Sequence, residues 1–110
     1  MIKINNDITD EVIKHLQKNY TLKESVYVKV IAGYDTVASP DGRIGFGVYE
    51  TKTRTIYIPG ELPKDEYAAI TTLAHEYKHF MQHMNKERFD EHEADKFGEK
   101  IYKEMRSGKK

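Results

Sequence analysis

The sequence predicts a small α+β domain in which one helix is followed by three strands and then by two more helices. Three observations predict it. A chain of 110 residues can build one hydrophobic core but not two. Apolar residues alternate between about residues 25 and 60, as half-buried strands require, and recur at helical spacing on either side of that stretch. No internal repeat, low-complexity tract or linker divides the chain, so residues 1–110 read as a single domain.

From Asp7 to Tyr20 the residues Ile8, Val12, Leu16 and Tyr20 recur every fourth position, with Asp7 or Thr9 available as N-cap. The run SVYVKVIAGY then places Val26, Val28 and Val30 on one face of a strand and Tyr27 and Lys29 on the other, and Gly33 ends it. Pro40, Asp41 and Gly42 mark a turn leading into IGFGVYE, where Ile44, Phe46 and Val48 share a face. TKTR makes a polar turn, and TIYIPG supplies Ile56 and Ile58 before Pro59 and Gly60 stop the strand, so the two runs predict a hairpin. Gly45 and Gly47 flank Phe46 and mark either a bulge, a close backbone approach or a merely twisted edge. Pro63 suits the first position of a helix running to Met84; NKER breaks it before a last helix from about Asp90 to Met105, and Ser107 to Lys110 should fray.

Lysine plus arginine and aspartate plus glutamate are equal at 18 each, and there is no cysteine. The balance offers no electrostatic footprint for nucleic acid or an anionic membrane. Without cysteine, any metal must be held by histidine and carboxylate. The N-terminal MIKINNDITDEV has no long apolar run, so a soluble, cytoplasmic protein is expected.

The chemistry concentrates in HEYKHFMQH, residues 75–83. His75 and His79 are one helical turn apart and can converge on one ion, while Glu76, rotated by roughly 100°, can reach a water there but not serve as a ligand. Ile70, Leu73, Tyr77, Phe80, Met81 and Met84 fall roughly opposite His75, so the histidines face a second surface, met by solvent or by another element. Two exposed histidines on a charged helix is the plain alternative.

A catalytic zinc site takes three protein ligands, and FDEHEADKFG can supply the third. Ala94, Phe97, Ile101 and Met105 define the buried face of the last helix; Glu91 and Asp95 fall within or beside that arc, and His92 and Glu93 outside it. Carboxylates turned toward a core need a partner, which assigns Glu91 as ligand and Asp95 as the acceptor that orients a liganding histidine. Ala94 and Gly98 are small enough for close packing on the histidine helix. An acidic first turn complementing the helix dipole is the alternative. His83 lies at the next turn, but three successive turns span about 12 Å of axis, too far for one ion, so it is expected at the surface or cleft rim. His15 and His92 are expected to be exposed and unpartnered.

HEYKH matches the His-Glu-x-x-His of the gluzincin metallopeptidases, and DEHEAD resembles their glutamate helix; the likeness in size and element order is greatest to the minigluzincins. The ImmA/IrrE-type peptidases have a similar Glu-x-x-Ala pattern and are the second neighbour. The specific motifs cover about residues 75–95. The resemblance implies a zinc endopeptidase with His75, His79 and Glu91 as ligands, Glu76 as general base and Asp95 in support. It also implies that the site can be latent, and because a chain of 110 residues has few left to wall a cleft, the open side is expected to be covered by the C-terminal stretch IYKEMRSGKK or by self-association. The long C-terminal subdomain of thermolysin-like enzymes is lacking, so the group stabilising the oxyanion is open among eight tyrosines. A peptide or protein substrate is expected to add along IGFGVYE, against Gly45, Phe46 and Gly47. Two rivals remain at this stage: a regulatory or structural zinc protein without turnover in isolation, and an ImmA-like regulatory protease.

Overall fold

The computed structural model describes residues 7–31, 37–38, 44–45, 47–60 and 66–107. Helix α1 (Asp7–Asn19) buries Val12 and Leu16 fully, the two central members of its four-residue repeat. Strand β1 (Tyr27–Ile31) follows, then the short β2 (Val37–Ala38) and β3 (Ile44–Gly45), β4 (Val48–Glu50), β5 (Thr55–Pro59), α2 (Glu66–Met84) and α3 (Glu91–Ser107). The architecture is the expected α+β domain, with three helices and a three-stranded mixed sheet among the described residues.

The sheet order is β1-β5-β4, with β1 parallel and β4 antiparallel to β5. The central strand buries both faces apart from Tyr57, which is half-buried. Val30 on the edge strand β1 remains 37% exposed, so the alternation read from SVYVKVIAGY is only partly used for burial. The predicted hairpin is β4–β5. Its turn is held by buried Glu50, whose carboxylate accepts from Thr53 N (2.9 Å), Thr53 Oγ1 (2.6 Å) and Lys52 N (3.2 Å), while Arg54 takes the left-handed conformation at φ 52°.

IGFGVYE is not one strand. Ile44 and Gly45 pair with β2 in a separate two-stranded ribbon, and Val48–Glu50 join the main sheet. Glycine on both sides of Phe46 weakens a continuous strand, and Gly47 is drawn onto α2: a Cβ there would lie 2.6 Å from Thr72 Cγ2 and 3.3 Å from Glu76 Cγ. The expectations for Gly33, for Pro40, Asp41 and Gly42, for Phe46, for Pro63 and for residues 108–110 lie outside the described residues.

The core gathers Leu16 from α1, Tyr49, Ile56 and Ile58 from the sheet, Ile70, Leu73, Tyr77 and Phe80 from α2, and Phe97 and Ile101 from α3. Helices α2 and α3 approach closely at Gly98, where a Cβ would stand 2.7 Å from the Thr71 carbonyl oxygen. Ala94 beside it is fully buried, as its size predicts. Of IYKEMRSGKK, the stretch expected to be able to reach the cleft, residues 101–107 are helical, two residues beyond the expected end of the last helix at Met105, and Ile101 is fully buried. His15 is not unpartnered either: its Nε2 lies 2.8 Å from Glu104 Oε1, and Tyr20 donates to Glu104 Oε2 at 2.7 Å, joining α1 to α3. Partial burial pushes the Glu104 carboxyl up, but the hydrogen bonds from Tyr20 and His15 and the charges of His15 and Lys100 outweigh it and hold it below its ordinary value. Among the described residues, no helix is long and apolar enough to cross a membrane.

Candidate metal centre

The core side of α2 leaves its other side to His75 and His79, and the first turn of α3 covers it. The two imidazoles stand one turn apart, with centroids separated by 4.8 Å and planes at 86°. Both Nε2 atoms turn toward Glu91: His75 Nε2 is 2.9 Å from Oε1 and His79 Nε2 is 3.2 Å from Oε2. One donor atom from each residue lies within 4.8 Å of the others, so this group could hold a metal ion.

Bonds of about 2.0–2.2 Å to a tetrahedral ion put donor atoms roughly 3.4 Å apart, near the observed spacings. Hydrogen bonding supports the fit. Asp95 Oδ1 lies 2.8 Å from His75 Nδ1. An ionised carboxylate can only accept, so that nitrogen carries the proton, and in neutral His75 the lone pair sits on Nε2, aimed at a second carboxylate. Two acceptors facing each other at 2.9 Å are relieved either by a second ring proton or by a cation between them. Nitrogen and carboxylate donors suit a borderline divalent ion.

The two carboxylates of α3 are placed differently from the sequence reading. Glu91 and Asp95 are not turned toward the core; their side chains are 72% and 73% exposed, because the first turn of α3 lies past the edge of the core and only Ala94, Phe97 and Ile101 reach inward. Their assignment rests on what their oxygens touch. His79 is met by another element, lying buried under Phe89, whose ring stacks on it at 4.6 Å and 19°. His83 is half-buried outside the group, with its Nδ1 2.8 Å from the Tyr49 hydroxyl. His92 is exposed, as expected.

Glu76 is buried, with Oε2 3.9 Å from His75 Nε2: too far to bond it, close enough to reach a small molecule held at the group. A cavity of about 470 Å³ opens here, bounded by Gly47, Thr71, Thr72, His75, Glu76, Asp95 and Glu99. Of the residues expected to meet substrate, Gly47 therefore stands over the base, while Gly45 has its nearest potential Cβ neighbour at 3.6 Å. No tyrosine is among the described residues bounding the cavity. Tyr49 is fully buried, with its hydroxyl 2.8 Å from His83 Nδ1, and does not bound the cavity, which removes it from the oxyanion candidates in this conformation.

Sequence reasoning missed two residues. Gln82, three positions after His79, is 1% exposed and places Oε1 2.9 Å from His79 Nδ1. Phe89 shields the same ring. A polar residue inside the sheltered arc of a helix, one turn from a ligand, is the signal that could have found Gln82; an aromatic just before the N-cap Asp90 is a weaker one for Phe89. No protein-family model, curated protein or solved structure matches the chain, so the geometry stands alone.

Proposed function

We propose that this chain is a zinc-dependent endopeptidase of the gluzincin type, resembling the minigluzincins. The observation carrying this reading is the convergence of His75 Nε2, His79 Nε2 and the Glu91 carboxylate, with the Glu76 carboxylate 3.9 Å from His75 Nε2 on the wall of an open cavity. A bound Zn²⁺ would polarise the scissile carbonyl and lower the pKa of a water held beside it. Glu76 is placed to take a proton from a water in the cavity and pass it to the leaving amine. Asp95 holds the His75 ring with its Nε2 toward the group. Gly47, next to β4, brings its backbone onto α2 beside Glu76, so an extended peptide lying against it would run past the base.

Latency belongs to the same proposal. Residues 101–107 are committed to α3, so cover from a neighbouring molecule is the form that fits, and specific activity should then rise on dilution.

The test uses quenched fluorescent peptides with metal-free and zinc-loaded protein, beside Glu76→Ala. Cleavage by the zinc-loaded wild type alone, with Glu76→Ala binding zinc but inactive, supports the reading. Zinc binding with no cleavage at any dilution would favour a regulatory or structural zinc protein. Equal cleavage by Glu76→Ala would place the activity elsewhere.

A further inference from the structure

The buried amide of Gln82 is fixed from two sides, and neither side permits it to turn over. Its Nε2 is 2.8 Å from Glu93 Oε1, and a carboxylate can only accept, so the NH₂ faces α3. Its Oε1 accepts from the backbone N–H of Asp90 at 3.3 Å, a donor that cannot reverse. Asp90 is itself the N-cap of α3, accepting from Glu93 N at 3.1 Å. Turning the amide over would oppose oxygen to carboxylate and NH₂ to N–H at once.

The consequence passes to the metal centre. The same Oε1 lies 2.9 Å from His79 Nδ1, so that nitrogen must donate, and the neutral ring presents its lone pair at Nε2, toward Glu91. Glu91 directly follows the cap that Gln82 holds. One side chain therefore sets the tautomer of a ligand on α2 and anchors the turn of α3 that carries another.

We propose that Gln82 is a positioning residue that makes the docking of the α3 N-terminus and the readiness of His79 a single event. This rests on the metal-site reading above. Ordering of the Glu93–Gln82–Asp90 contacts and exposure of the His79 Nε2 lone pair occur together, and the ligand group is assembled before an ion arrives. Loss of the amide frees His79 to place its proton on Nε2, where it opposes the ion.

Two variants test this. Gln82→Met keeps the length of the side chain and removes both polar functions. In the double variant Gln82→Glu with Glu93→Gln, position 82 keeps its acceptor for His79 and Asp90 while the donor moves to position 93, at unchanged net charge. The readouts are the His79 tautomer in zinc-free protein, from ring ¹⁵N shifts, and zinc affinity by competition with a chromophoric chelator. Wild type should show His79 protonated at Nδ1. Gln82→Met should populate the Nε2–H form and bind zinc about ten- to a hundredfold more weakly, the range for lost supports of metal ligands, and the double variant should recover both. An unchanged tautomer and affinity in Gln82→Met would overturn the proposal, as would weakened affinity with an unchanged tautomer, which a merely structural role predicts. Should Gln82→Met fail to fold, a double variant that folds but has lost the Nδ1–H tautomer overturns it equally. Failure of wild type to bind zinc would instead overturn the metal-site reading.

Discussion

His75 and His79 offer the same nitrogen to the same carboxylate, yet they are held in opposite ways. The His75 side chain is 20% exposed, and its Nδ1 rests on Asp95, a side chain 73% exposed. The His79 side chain is 4% exposed, stacked under Phe89, and leans on an amide buried in the helix packing. A hydrogen bond shielded from water is worth more, and one ringed by solvent is readily exchanged. One ligand is thus set by the fold and the other is adjustable, on the side where the cavity opens and where Glu76 sits.

Removing a ligand is the bluntest way to break this comparison. His75→Ala, His79→Ala and Glu91→Ala should each weaken zinc binding by more than about a hundredfold, beyond the range of supporting residues. Only His79→Ala should also lower the thermal midpoint of the metal-free protein, because it alone leaves a hole in packed structure. Equal midpoints for His75→Ala and His79→Ala would remove the distinction.

Gly98→Val acts on both histidines together. Its side chain would press on the Thr71 backbone, 2.7 Å from the first added carbon, and force α2 and α3 apart. Overpacking of this kind costs about 1–3 kcal/mol. Denaturant unfolding should show that loss, and zinc titration a weakened site, since Glu91 and Asp95 move with α3.

Asp95→Asn sharpens the contrast. It should lower zinc affinity by about tenfold, the mild end for such partners, because Asp95 is exposed and its amide can still accept from His75. A loss larger than that of Gln82→Met would mean that the exposed support matters more than the buried one.

The two ends of the pH scale probe packing away from the centre. Burial holds the Tyr49 hydroxyl up at about 12 and that of Tyr77 above its usual 10.0. For a raised folded value, the stability is complete below pH 10 and is lost as pH climbs toward about 12. Glu104 is held below its ordinary value of 4.5, so its contribution is present above that pH and is lost as pH falls through the lowered value. Tyr49→Phe should flatten the alkaline limb of a stability-against-pH curve, and Glu104→Gln the acid limb. Smallest of all, Gly45→Ala should change stability by less than about 0.5 kcal/mol, since its nearest neighbour would be at 3.6 Å.

What could be read in the sequence followed from periodicity. The four-residue repeat of α1, the β4–β5 hairpin, the helix containing His75 and the closeness of Ala94 and Gly98 to α2 need only local spacing and side-chain size. The grouping of His75, His79 and Glu91 was legible for the same reason: helical angles select which residues can meet. Burial was less legible. The expectation that Glu91 and Asp95 turn inward used angle alone, whereas exposure depends on where α3 begins relative to the edge of the core. The splitting of IGFGVYE depends on what Gly47 meets in α2, and the partner of His15 is Glu104, contacts that no local pattern encodes, whereas Gln82, one turn from His79, lay within reach of one.

Zinc titration of the metal-free protein, wild type beside Glu91→Ala and Glu93→Ala, tests the central claim most directly, because these carboxylates sit two residues apart on α3 and only Glu91 touches both histidines. Saturation near one equivalent, lost in Glu91→Ala and retained in Glu93→Ala with an affinity no lower than that of Gln82→Met, is the predicted result. No saturable binding by wild type, or a greater loss in Glu93→Ala than in Glu91→Ala, would contradict it.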